Sequence, residues 1–373
     1  MYRGTTTRYL LQIGSGEGDR ELPPLSFFGG IEYNDGMMSK LENLIKEYRE
    51  QGIQDQIDYD KLYLYSIITH STAVEGSTVT EIENQLLFDE GISPNKPIEE
   101  QLMNLDLKNA YEKGFEYAGE QQEYSVEMLC TLSALVMKNT GSEYKTISGD
   151  FSSANGELRR TNVTAGRGGK SYMAWQKVSS KLEEFCEWLN SERKNLAKSD
   201  ETKIYRLSFM AHYNLATIHP WADGNGRMSR LVMNMIQYEF GVIPVIVRKE
   251  RRIDYIKSLS ESQGAGNAEE FLDFMFEHHC NNLAERIENY RTSLHDDTLN
   301  LKNDTLNDTT KLSAKESAVY EAIKADCNIS INDIVKKTGF SRPTVNRAIA
   351  ILKELGIISR SGSKKTGHWI IEK

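Results

Sequence analysis

The sequence predicts a mainly α-helical protein, a large helical body with a small β-hairpin plus a C-terminal winged-helix domain, and three observations carry that prediction. Apolar residues recur at spacings of three and four through eight segments between about residues 35 and 291. One stretch, Leu158–Ala174, breaks the habit: Val163 and Tyr172 flank Gly166, Gly168 and Gly169, the pattern of two short strands closed by a glycine-rich turn. The charge then changes sign. Residues 311–373 hold 12 Lys and Arg against 6 Asp and Glu within a chain of 373 residues and formal charge −9, so the first 310 residues carry −15.

Taken in order, residues 1–57 comprise an irregular arm, punctuated by Gly14, Gly16, Gly18, Pro23, Pro24, Gly29 and Gly30, and a first helix at Met38–Gln51. The body, 58–291, continues with helices at Asp58–Ala73, Ile98–Gln121, Ser125–Met137, Gln176–Asn195, Glu201–Thr217, Gly226–Phe240 and Glu269–Arg291. Residues 292–310 are polar, with Asp297-Thr298-Leu299-Asn300 echoed at Asp304-Thr305-Leu306-Asn307. Thr, Asn and Asp favour turns and caps, so a linker is expected, although the leucines would also suit a short helix. The tail, 311–373, reads as helices at Ala314–Ala325, Ile331–Lys337 and Arg342–Leu355, then a strand pair at Ile357–Arg360 and His368–Ile371.

Composition narrows the function classes. With 45 Lys and Arg against 54 Asp and Glu, the whole chain is not a polycation, and any nucleic-acid contact must be local. No window nears the ~20 apolar residues of a membrane span. The run Tyr9-Leu10-Leu11-Gln12-Ile13 is too short for a secretory h-region, so a cytoplasmic setting is expected. Cys130, Cys186, Cys280 and Cys327 lie far apart without a C-x-x-C pair, which points to reduced core thiols rather than a zinc ribbon or disulfide framework.

The segment His219-Pro220-Trp221-Ala222-Asp223-Gly224-Asn225-Gly226-Arg227-Met228-Ser229-Arg230 joins the end of one helical pattern to the start of the next. Gly224 and Gly226 let the backbone curl, Asn225 tolerates left-handed geometry, and the N–H groups converge where the following helix presents its positive dipole end. An anion fits there. Arg227 and Arg230, in the first turns of that helix, oppose its dipole, an arrangement that a bound polyphosphate offsets. Asp223 is a hard oxygen ligand suited to Mg²⁺, and His219 is a proton acceptor near neutral pH.

These residues resemble the signature of the Fic (filamentation induced by cAMP) family, H-P-F-x-[D/E]-G-N-G-R-x-x-R, from which only Trp221 departs by replacing a Phe. The resemblance covers roughly residues 60–280 and implies the family's helical fold. It also implies an activity: transfer of AMP from ATP to a Ser, Thr or Tyr hydroxyl of a target protein or of the chain itself, with release of pyrophosphate. On that resemblance His219 is the general base, Asp223 the Mg²⁺ ligand, Gly224, Asn225 and Gly226 the phosphate cradle, and Arg227 and Arg230 the holders of the β- and γ-phosphates. Ser71-Thr72-Ala73-Val74-Glu75-Gly76 is similar to the family's inhibitory motif [S/T]-x-x-x-E-[G/N] on the helix of residues 58–76, with Glu75 pairing to Arg230 and obstructing the γ-phosphate. On the resemblance Leu158–Ala174, with Thr164 and Tyr172, corresponds to the family's target-binding flap, while the residues alone suit an ordinary surface hairpin nearly as well. Tyr255, beside Asp254 and Ile256, stands where relatives often carry paired adenine-pocket tyrosines, and Gln263 where some carry Asn; Tyr255 suits packing in the core equally. Relatives self-associate, so a homo-oligomer is among the expectations.

In the tail, Ser341 suits an N-cap with Pro343 in the first turn, which sets Arg342, Thr344 and Arg347 near a groove-reading tip, with Lys364 and Lys365 in the wing against phosphate. This resembles winged helix-turn-helix domains of transcription regulators, and the same fold also serves as a protein-docking module. Two other readings stand beside the transferase: a DNA-binding regulator whose body senses nucleotide, and an enzyme of the same fold that removes AMP. His219 disfavours a pure sensor, which has no need of a base. Glu75 does not separate transfer from removal, since the carboxylate that blocks ATP would equally orient a water.

Overall fold

Apolar spacing becomes helix through most of the body of the computed structural model, which describes residues 35–56, 59–165, 171–304, 314–340, 342–354, 357–361 and 368–371. The order is α1 (Asp35–Glu50), α2 (Tyr59–Val74), α3 (Glu81–Glu90), α4 (Ile98–Gly119), α5 (Val126–Met137), β1 (Glu143–Tyr144), β2 (Phe151–Ser152), α6 (Val178–Lys194), α7 (Glu201–Ile218), α8 (Asn225–Phe240), α9 (Arg252–Ala265) and α10 (Glu269–Asp304). The chain divides into two units, Met1–Tyr290 and Arg291–Lys373.

The first unit is organised around α7 and α8, which pack on each other, with α4 and α5 against α8 and α6 against α7. Every residue of α7 from Ile204 to Ile218 is buried, polar ones included. A helix buried on all sides must satisfy its hydroxyls internally. Ser208 Oγ donates to Tyr205 O at 2.7 Å and Thr217 Oγ1 to Tyr213 O at 2.8 Å. Helix α2 is keyed to α3 and α4 by a buried polar cluster: Thr72 Oγ1 donates to Asn104 Oδ1 at 2.8 Å, and Asn84 Nδ2 donates to Asn104 Oδ1 at 2.9 Å and to Thr69 Oγ1 at 2.7 Å.

Four expectations are corrected. Helices α3 and α9 are additional, because their buried faces are mostly polar: Asn84 with Leu87 in one, Tyr255, Ser258 and Ser262 in the other. Apolar periodicity is silent there, although Thr80-x-x-Glu83 forms a capping box that starts α3. The pair β1–β2 is also additional, antiparallel in the register Glu143↔Ser152 and Tyr144↔Phe151. The hairpin expected at Leu158–Ala174 reduces, among the described residues, to one bridge between Thr164 and Ser171 and a bond from Tyr172 N–H to Val163 O; its turn, 166–170, lies outside them. Finally, α10 runs to Asp304 instead of ending at Arg291, since no Gly or Pro interrupts its ladder; residues 305–310 of the expected linker, and the arm to residue 34, lie outside the described residues.

The second unit contains α11 (Ala314–Ala325), α12 (Ile331–Thr338), α13 (Arg342–Glu354) and the antiparallel pair β3 (Ile358–Ser361) and β4 (His368–Ile371). Val319, Ile323, Ile334, Val345, Leu352, Ile358 and Trp369 form its own core. Ser330 Oγ caps α12 by accepting from Asp333 N–H, and Gly339, at φ 72°, ends it in the left-handed conformation. Cys186 and Cys280 are buried free thiols, while Cys130 and Cys327 are half-buried.

Candidate active site

The loop between α7 and α8 owes its shape to residues that cannot continue a helix. Pro220 disfavours helical geometry in the residue before it, and His219 ends α7 at φ 52° and ψ 59°, with its N–H on Leu215 O. Among the described residues only His219 and Gln121 are non-glycine residues at positive φ. The turn back into α8 is made by Gly224 at φ 82°. Asn225, expected to be left-handed, is the first residue of α8. Its amide instead clamps the loop, accepting from Trp221 N–H at 3.1 Å and donating to Trp221 O at 2.8 Å. Gly226 serves space: a Cβ there would lie 2.6 Å from Glu75 Oε1 and 3.2 Å from an Arg230 nitrogen.

Trp221 is fully buried, and its indole N–H donates to Gly156 O at 3.0 Å. The His219 imidazole is half-buried and stacks on the Tyr172 ring, with centroids 3.7 Å apart and planes 13° apart. Burial, followed by the nearby Arg159 guanidinium, pushes its pKa down to about 3, so the ring is neutral at physiological pH, with a lone pair to offer a hydroxyl and little tendency to hold a proton at rest.

Arg230, one face of α8 away, is gripped from α2 and α9. Its Nη2 donates to Glu75 Oε1 at 2.6 Å and to Ser71 O at 3.0 Å, its Nε to Ser71 Oγ at 2.8 Å, and its Nη1 to Tyr255 Oη at 3.3 Å. Burial raises the Glu75 pKa, but the Arg230 charge and hydrogen bond outweigh it, and the carboxyl is held below its ordinary value. Thus Glu75, though partly exposed, does not stand unpaired as a simple helix cap would; it follows α2 directly, and Arg252 Nε holds the last helical carbonyl, Val74 O, at 2.5 Å. Gly76, at φ 109°, lets the chain turn away after it.

Arg227, 3% exposed, is partnered far less well. Nη2 meets Met137 Sδ at 3.0 Å and Nη1 meets Val136 O at 3.4 Å, the Asp223 carboxylate is 3.8 Å away, and Nε has no partner among the described residues. Burial lowers its pKa against the partial support of Asp223 and Glu75. Asp223 is 59% exposed at its side chain and accepts from Gly224 N–H at 2.6 Å.

The structure therefore brings Ser71, Glu75, Gly226 and Arg230 together, with His219, Asp223, Gly224, Asn225 and Arg227 on the adjoining loop and helix start. Of the two readings of Tyr255, packing in the core agrees with its burial: the ring is 3% exposed, and its hydroxyl links Arg230 to His212 Nε2 at 2.8 Å. Gln263 bonds Thr217 Oγ1 at 3.1 Å. Arg159 and His212 were not anticipated; an arginine beside a loop and a histidine on an apolar helix carry no signal in one sequence. In the second unit Arg342 is exposed and donates to Asn332 Oδ1 at 3.0 Å. Thr344 and Arg347 fall within α13, whereas Ser341, Lys364 and Lys365 lie outside the described residues.

Comparison with known proteins follows the same division. Residues 123–237 match the Fic/DOC family, and residues 312–359 match a winged helix-turn-helix DNA-binding family. The protein adenylyltransferase fic-1 of Caenorhabditis elegans is 28% identical over 71% of this chain and 47% of its own length; the protein adenylyltransferase Fic of Drosophila grimshawi is 28% identical over 56% and 40%. The chain thus spans about half the length, or less, of these curated relatives. The crystal structure of a Fic family protein from Desulfovibrio desulfuricans superposes with a TM-score of 0.56 at 20% identity, covering 92% of this chain and 97% of that one, which establishes the likeness of fold.

Proposed function

From a chain that carries a Fic domain and a winged helix-turn-helix segment, we propose a protein adenylyltransferase held in check by its own Glu75. His219, neutral at physiological pH, accepts the proton of a Ser, Thr or Tyr hydroxyl on a target protein or on the chain itself. The hydroxyl oxygen forms a bond to the α-phosphorus of ATP, the bond from that phosphorus to the bridging oxygen breaks, and pyrophosphate leaves. The amides at the start of α8 and the Arg227 guanidinium, whose Nε lacks a partner among the described residues, suit the departing phosphates.

Asp223 fits a Mg²⁺ ion that arrives with a nucleotide, because such ions take one or two protein carboxylates and this one is exposed beside the cradle. Mg²⁺ there would neutralise charge on the phosphates. The relatives' names, protein adenylyltransferase, agree with this reading.

The observation that carries the inhibitory part is the 2.6 Å pair between Glu75 and Arg230. While Arg230 is bound to Glu75 and Ser71 its fork is unavailable to a γ-phosphate, and the Glu75 carboxylate repels one. Intact-mass measurement of purified protein with Mg·ATP is the test. The wild-type chain takes up adenylate weakly, Glu75→Gly takes up more, and Glu75→Gly with His219→Ala takes up none. Absence of adenylate on the Glu75→Gly chain and on proteins of a cytoplasmic extract rejects transfer.

A second role belongs to the second unit, where the family match and the exposed Arg342 at the start of α13 support a local DNA contact. DNA binding by the full chain then weakens with added salt and with Arg342→Ala; binding indifferent to both would reject it.

A further inference from the structure

We infer that Arg159 is a positioning residue that fixes the His219 imidazole by tying its backbone to the two chain segments beside it, an inference that rests on the proton-acceptor reading of His219. Arg159 is 1% exposed, and among the described residues burial and Tyr172, with no carboxylate, set its charge environment. Its three guanidinium nitrogens are spent on three separate carbonyls: Nε on His219 O at 2.8 Å, Nη1 on Thr161 O at 3.0 Å and Nη2 on Met173 O at 2.7 Å. Its own N–H donates to Pro220 O at 3.0 Å. One residue therefore holds both carbonyls that flank the His219-Pro220 turn.

A buried cation solvated by carbonyls alone has no opposite charge to offset its lost hydration, so charge pairing does not account for its place here. What the planar fork supplies is direction, three donors in one rigid plane, which lysine cannot reproduce. Direction matters at this place. His219 sits at φ 52°, a conformation uncommon for a residue with a side chain, so the aim of its imidazole depends on whatever holds that backbone. The same fork holds Met173 O, and the neighbouring residue, Tyr172, lays its ring on the imidazole at 3.7 Å. Arg159 thus governs both the stem of the imidazole and the plate against its face.

The test uses Arg159→Lys and Arg159→Met in the Glu75→Gly chain, with Mg·ATP as the probe. Adenylate transfer should lose about 100-fold in kcat for the methionine variant, the scale of an ångström-level misplacement, with KM for ATP within about threefold and partial recovery in the lysine variant. Independently of activity, the carbon-bound proton signals of His219 in NMR, shifted by the Tyr172 ring, should move toward ordinary values in the methionine variant. Unmoved His219 signals with unchanged kcat overturn the inference; if the methionine variant fails to fold, the lysine variant decides on the same two readings. Signals that move in a chain that takes up no adenylate sink the transferase reading while leaving Arg159 as the residue that orients His219.

Discussion

Arg227 and Arg230 stand three residues apart on one helix, are both nearly inaccessible, and live in opposite surroundings. Arg230 has a carboxylate, a hydroxyl, a carbonyl and a phenol within hydrogen-bond reach, three of the four from Ser71 and Glu75. Arg227 has a thioether and one distant carbonyl, with a carboxylate at 3.8 Å. Burial costs each a similar hydration loss, so the contrast teaches where the resting protein has placed its compensation. Arg230 is neutralised from within, by Glu75 just beyond the end of α2. Arg227 is left with a deficit that an anion would fill.

Removing each arginine tests that difference most sharply. Arg230→Met leaves Glu75, Ser71 and Tyr255 facing an absent partner. It is expected to destabilise the chain by about 3 kcal/mol, toward the lower end for a broken buried pair because the Glu75 side chain is 36% exposed. Arg227→Met is expected to leave stability unchanged or raise it by about 1 kcal/mol, while abolishing the rise in melting temperature on adding Mg·ATP in the Glu75→Gly chain. Denaturant melts of both variants check this; equal losses would erase the contrast.

Acid stresses the Arg230 side. His212, which supports Tyr255 behind Arg230, has its pKa pushed down to about 3 by burial and then by the Arg230 charge. A histidine whose folded pKa is depressed costs nothing above its unfolded value near 6.5, and the loss begins as pH falls below it because the unfolded chain takes the proton first. Between pH 7 and pH 5 this one residue should remove about 2 kcal/mol. His212→Phe should make that part of the melt series shallower by this amount, His219, His278 and His279 supplying the rest because burial depresses them too, and an equally steep series would count against it. The smallest effect is Ser71→Ala, which deletes one bond worth about 1 kcal/mol and should raise adenylate uptake about fivefold over wild type by intact mass, well short of Glu75→Gly.

Much of this arrangement is legible in the sequence, and the exceptions have physical causes. The turn at 219–230 could be read because a proline, two glycines and the opening of an amphipathic pattern are local signals. Ser71, Glu75 and Arg230 could be connected only through a resemblance, since contacts across 155 positions leave no trace in periodicity. Asn225 was misread because Asn is both a left-handed residue and an amide, and here the amide decides. Tyr255 leaves two readings open in the sequence because a phenol suits a pocket and a buried hydrogen-bond chain equally. Helices α3 and α9 escaped because their inner faces are polar.

Trp221 adds an N–H that a phenylalanine would lack, and it spends that N–H on Gly156 O. Arg159, three residues beyond Gly156, returns to His219 O and Pro220 O. The result is a closed circuit of non-covalent links in which neither segment can swing out alone. In deuterium exchange the amides of Arg159 and Trp221 should therefore share one protection factor and open as a single cooperative event, so that the loop behaves as a stiff plate hinged elsewhere.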